Sequence, residues 1–87
     1  MTPFKTLKEY KTLYIRNRSS NYELRSKVVL KPKVKEPALL ITKVFTKNGE
    51  TFETTKLGRI PLSVLKEISL ILEDSYNFIN NYLSKNG

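Results

Sequence analysis

The chain reads as an α+β protein, a four-stranded antiparallel sheet followed by one long C-terminal helix. Three observations carry that reading. The dipeptide Asn48-Gly49 sits between "LLITKVFTK" and "ETFETTKLGR" and is among the strongest short signals for a two-residue hairpin turn. Two earlier segments, "KTLYIRNR" and "YELRSKVVLK", alternate apolar and polar residues with the period of a strand. After Leu62 the apolar period changes from two to about 3.6, the period of a helix.

At 87 residues one domain is expected, spanning 10–87 and near the lower size limit for a single core. Residues 1–9 form an N-terminal arm or a short helix. In the helical form Thr2 is the cap, Pro3 takes the first helical position, and Phe4, Leu7 and Tyr10 share a side. In the first strand Leu13 and Ile15 point one way and Tyr14, Arg16 and Arg18 the other. Ser19-Ser20-Asn21 is a turn cluster. In the second strand Leu24, Val28 and Leu30 oppose Arg25, Lys27 and Lys31. "KPKVKEP", with two prolines, is a connection or an extended edge.

The turn at Asn48-Gly49 sets the register of the hairpin. Lys47 then faces Glu50, Phe45 faces Phe52, Lys43 faces Thr54 and Ile41 faces Lys56. Leu40, Val44 and Leu57 fall on the other side and are expected to face the core, with Thr42, Thr46, Thr51, Glu53 and Thr55. Strict alternation puts Arg59 inward and Ile60 and Leu62 outward. A bulge at Gly58 reverses the parity and corrects both. Ser63 caps the helix, which runs from Val64 to about Leu83. Val64, Ile68, Ile71, Phe78 and Tyr82 form one apolar stripe, and Leu65, Leu72, Tyr76, Ile79 and Leu83 an adjoining one. The combined stripe is broad for a helix on a small sheet, and its excess is either core or a homodimer surface.

Sixteen Lys and Arg stand against eight Asp and Glu, a formal charge of +8. The excess is confined to residues 1–59, with fourteen basic and five acidic side chains, against two and three in 60–87. Such a segment repels itself unless an anion neutralises it, and nucleic acid is the commonest. There is no cysteine and no histidine, so disulfides, thiolate metal sites and the usual general base near neutral pH are excluded. Glu50 and Glu53 point to opposite sides of their strand, Glu73-Asp74 reads as a solvated helix face, and three glycines supply no phosphate loop. No catalytic activity and no cofactor are expected. The longest apolar run, 38–41, is too short to span a bilayer, and an intracellular protein is expected (cytoplasm or nucleoid, or nucleus in a eukaryote).

With these registers one sheet face carries Tyr14, Arg16, Arg18, Arg25, Lys27, Lys31, Lys43, Phe45, Phe52, Lys56 and Arg59. Cations neutralise phosphates, and exposed rings stack on unpaired bases whatever their identity. The expected partner is single-stranded or melted DNA. RNA is an alternative, because basic sheet faces serve it as well. A protein-interaction module with incidental charge is a second.

"KLGRIPL" followed by "SVLKEI" resembles the C-terminal half of the transcriptional positive cofactor four family, small single-stranded-DNA-binding coactivators. The shared order comprises Phe45, Gly49-Glu50, Lys56, Gly58-Arg59, Ile60, Leu62 and Leu65-Lys66-Glu67, within roughly residues 22–80. The family usually carries a tryptophan at the start of the helix, and this chain has none. The resemblance implies a curved four-stranded antiparallel sheet with one helix. It implies a homodimer holding single-stranded or melted DNA in channels along the sheets. By position it gives Phe45, Lys56 and Arg59 the DNA-contact role.

Overall fold

A computed structural model of the chain describes residues 4–16 and 21–86. Strands β1 (Lys5–Glu9), β2 (Leu13–Arg16), β3 (Asn21–Leu30), β4 (Ala38–Lys47) and β5 (Glu50–Thr54) precede helix α1 (Leu62–Asn86). The sheet is antiparallel and curved, and β1 and β2 both pair with β3. They occupy successive stretches of the same edge, since Lys5–Glu9 meets Leu30–Lys27 and Leu13–Arg16 meets Leu24–Asn21. The Tyr10 amide donates to the Ser26 carbonyl at 3.0 Å and bridges the gap between them. The four expected strands are therefore present as β2 to β5, and β1 adds a fifth along the same edge of β3.

The N-terminal segment departs from the helical alternative. Lys5–Glu9 is a strand, because the outer side of β3 offers a ladder of backbone partners. A helix this short has too few internal hydrogen bonds to offset its nucleation. The pairing slips between Thr6 and Lys8. Thr2, Pro3, Arg18, Ser19 and Ser20 lie outside the described residues.

The hairpin has the expected register at Lys47↔Glu50, Phe45↔Phe52 and Lys43↔Thr54. Asn48 has φ 54° and Gly49 φ 81°, the pair of positive values that matches the twist of the flanking strands. The strand then ends earlier than expected. At Thr54 the side-chain hydroxyl accepts from the Lys56 amide at 3.1 Å, and the pair Ile41↔Lys56 does not form. Gly58 has φ 64°, but it turns the connection to the helix rather than making a bulge within a strand. Leu57 and Ile60 pack on the core from that connection, whereas Leu62, expected inward, is 84% exposed at the start of α1. The Val64 amide donates to the Pro61 carbonyl at 3.2 Å, so the helix begins just before Ser63 rather than after it.

Side chains directly opposite in an antiparallel pair share a face. The β3–β4 ladder pairs Tyr22 with Phe45, Leu24 with Lys43 and Ser26 with Ile41. Leu13, Ile15 and Leu24 are buried against Val64, Ile68 and Ile71 of the helix. Lys43, Phe45 and Phe52 thus lie on the helix-covered face, and Leu40 and Val44 lie on the opposite one. This reverses the inside and outside assigned to β4 and β5. Val44 and Thr42 are still buried, at 7% and 8% exposed. Beside them Glu53 accepts from the Thr42 hydroxyl at 2.6 Å, and Glu23 accepts from Arg25 at 2.7 Å.

The helix lies over the β1/β2 side of the sheet. The Asp74 carboxylate accepts from Lys8 at 2.6 Å and from the Tyr10 hydroxyl at 2.7 Å, and Lys11 pairs with Glu67 at 3.4 Å. These contacts turn one flank of α1 toward the sheet edge. At about 100° per residue, Leu65, Leu72 and Tyr76 lie on the opposite flank and overlook the β4 side. They are 43%, 50% and 68% exposed.

Candidate nucleic-acid interface

The hairpin end of the helix-covered face holds a compact group of rings and cations. Phe45 and Phe52 are cross-strand neighbours with ring centroids 5.5 Å apart and planes 26° apart. Tyr22 lies on the other side of Phe45, in β3. Lys43 Nζ sits 4.4 Å from the Tyr22 ring centroid and 5.9 Å from that of Phe45. Both distances fall within the range of a cation–π contact. No carboxylate pairs with Lys43 among the described residues. Phe52 is 42% exposed, so its outer ring surface is open to solvent.

The connection between β5 and α1 runs alongside. The Tyr22 hydroxyl donates to the Arg59 carbonyl at 3.5 Å, a long bond that nonetheless places the Gly58-Arg59 turn beside the rings. Lys56 and Arg59 are exposed on this connection, and Lys47, opposite Glu50, stands at the tip. Lys43, Phe45, Phe52, Lys56 and Arg59 are thus brought to one region. Tyr22 joins them although sequence reasoning passed over it. Only the β3–β4 register, which puts it opposite Phe45, reveals its place.

Four other expected residues are on the opposite face. Tyr14, Arg16, Arg25 and Lys27 follow from β2 and β3, and the ladders give them the opposite facing to Phe45. Tyr14 is 63% exposed, with the Arg16 guanidinium 6.0 Å from its ring centroid. Tyr14, Arg16 and Arg25 border a shallow groove with Val44, Thr46 and Thr51, which Tyr22 and Phe45 also line. The charge there is balanced. Arg16, Arg25 and Lys27 are matched by Glu9, Glu23 and Glu53, each placed on that face by its pairing. Glu23 holds Arg25 by a hydrogen bond and raises its pKa, so that guanidinium is already partnered. Lys31 stands apart, in the β3–β4 connection, with its Nζ 5.8 Å from the Phe4 ring centroid. Arg18 lies outside the described residues. Among the described residues the single continuous face is therefore divided between two sides, because the β3–β4 parity is the reverse of that assumed.

Elsewhere, the Asp74 carboxyl is held below the usual carboxylate range by hydrogen bonds from Lys8 and then Tyr10. Burial and the same carboxylate push the Tyr10 phenol up. Among the described residues no cluster of carboxylates is arranged to hold a metal ion, and no helix is long and apolar enough to cross a membrane. No protein-family model matches the chain, and no significant match is found among curated proteins or solved structures.

Proposed function

We propose that this chain binds single-stranded nucleic acid, DNA in the first place, through the hairpin end of its sheet and with little sequence selectivity. One observation carries the reading: a stacked phenylalanine pair, its Phe52 ring exposed, lies beside a lysine that has rings and, among the described residues, no carboxylate for company. Rings on a sheet surface stack on bases only when the bases are unpaired. Lys43, Lys47, Lys56 and Arg59 surround them with charge suited to phosphates. The motif order shared with the positive cofactor four family supports a role at melted DNA, as a transcription cofactor or a DNA-maintenance factor.

The protein acts as a homodimer in this reading. The support is the flank of α1 formed by Leu65, Leu72 and Tyr76, which is exposed in the single chain. Isologous pairing of two such flanks removes both from water.

Titration of the protein against single-stranded DNA, duplex DNA and structured RNA at matched salt tests the reading. Single-stranded DNA should bind most tightly. With on the order of five phosphates contacted, log affinity should fall against log salt with a slope of about −3 to −4. Tighter binding to duplex, or a flat salt response, overturns it. A clear preference for RNA moves the site to the other nucleic acid.

A further inference from the structure

The hairpin-end group leaves a second set of cations unexplained, at the far end of the sheet where β3 passes to β4. Lys31, Lys33 and Lys35 are all exposed there. Lys5, opposite Leu30 in the β1–β3 ladder, stands beside them. Glu36 is the one carboxylate of the 31–37 connection. Among the described residues none of these four lysines is ion-paired.

The backbone adds an independent observation. The Val34 amide donates to the Lys31 carbonyl at 3.2 Å, closing a turn whose central residues are Pro32 and Lys33. Lys33 has φ 66°. Proline followed by a left-handed residue is the pattern of a type II turn, in which glycine is favoured at the second position. Glycine takes that conformation without steric cost, and lysine does not. A non-glycine backbone held in strain on an exposed turn points to a use for the residue it carries, here a cation.

The two cationic ends are separated by the length of β4, Ala38–Lys47, or about 30 Å at ~3.4 Å per residue. Sheet-based single-strand sites cover roughly 4–16 nucleotides, so one strand can reach both. We infer that the β3–β4 turn is a second phosphate-contacting site, gripping the backbone of the same strand whose bases stack at the hairpin end. The inference rests on the proposed single-strand binding. Lysines on a turn make contacts to phosphate that are blind to sequence, and they lengthen the footprint rather than select bases.

Fluorescence anisotropy with oligothymidylates of about 4 and about 12 nucleotides, at several salt concentrations, tests it on the full chain. Two variants are compared, the triple change Lys31→Ala, Lys33→Ala, Lys35→Ala and the single Lys33→Gly. The wild type should bind the longer strand more tightly. The triple variant should lose that advantage and keep its affinity for the short strand. Its salt slope on the long strand should flatten by about 2, at ~0.7 per phosphate contact. Lys33→Gly preserves the turn, so it should remain folded and flatten the slope by about 0.7. If both variants bind the long strand with wild-type affinity and slope, the second site is overturned while hairpin-end binding stands. Equal weakening on both lengths also overturns it, since the turn would then not be a separate contact. Failure of the wild type to bind either strand overturns this inference and the proposed function together.

Discussion

Replacing Phe52 by alanine removes the outer ring of the Phe45–Phe52 pair. Phe52 is 42% exposed, so the change leaves no cavity in the core. The stability at stake is the ring–ring contact, about 0.5–1.5 kcal/mol, rather than the ~3–5 kcal/mol of a buried phenylalanine. For a domain of this size that is a Tm shift of about 2–12 °C. The binding effect should be larger in proportion. A stacked base contributes about 1–3 kcal/mol, which is roughly 5- to 150-fold in Kd. The salt slope should stay unchanged, because stacking releases no counterions. Lys43→Ala supplies the contrast, since it should flatten the slope by about 0.7 if the lysine meets one phosphate. Anisotropy titrations at three salt concentrations, with a thermal melt of each variant, give all four quantities. Phe52→Ala with wild-type affinity in a folded protein refutes the stacking role. A melt lowered as far as that of a core truncation shows the ring packed away in the folded protein.

Three further outcomes are expected. Leu72→Glu places a charge on the exposed flank of α1 and should convert a dimer to a monomer in sedimentation at micromolar concentration, with helix content unchanged; a wild type that sediments as one chain counts against the dimer. Gly49→Ala meets no atom within 4 Å but keeps φ at +81°, so it should cost about 1–2 kcal/mol from backbone strain alone, and an unaltered melt would contradict the turn geometry. Asp74 has its pKa lowered in the folded chain, first by the Lys8 hydrogen bond, so its contribution is present above the unfolded value of about 3.9 and lost as pH falls through the lower folded value. Asp74→Asn should therefore lower Tm slightly at neutral pH, slightly because the pair is exposed. The difference should vanish in acid; a gap that persists at pH 2 would assign the effect to packing instead.

The candidate site was legible in fragments. Asn48-Gly49 forces positive φ at two successive residues, and few backbone shapes satisfy that demand. The pairing of Phe45 with Phe52 follows from it. Within β2 and β3 simple alternation separated Leu13, Ile15 and Leu24 from Tyr14, Arg16 and Arg25, as the ladders show. The error arose between these two correct halves. Seven residues, 31–37, join β3 to β4, and unlike a two-residue turn they impose no parity. A one-residue slip in such a connection exchanges the faces of every later residue. Val44 and Leu40 are apolar, and Val44 is buried, but on the face away from the helix. Ile41 and Phe45 were equally apolar on the other side, so local pattern had no means of choosing.

The order of β2 to β5 and α1, the hairpin register, the inner stripe of α1 and the uneven distribution of charge were legible along the chain. These are local properties, set by turn chemistry, by side-chain periods of two and 3.6, and by counting. Tertiary structure alone decided the rest. It paired Lys5–Glu9 as an edge strand and ended β5 at Thr54. It brought Tyr22 beside Phe45 and divided the basic residues between two faces and a distant turn. The division of the basic residues depends on which face of β4 meets the helix. That choice comes from the summed packing of Leu13, Ile15 and Leu24 against Val64, Ile68 and Ile71. Those partners are some forty to sixty residues apart in the chain, and burial of an apolar face acts on proximity in space, to which the order of residues along the chain is blind.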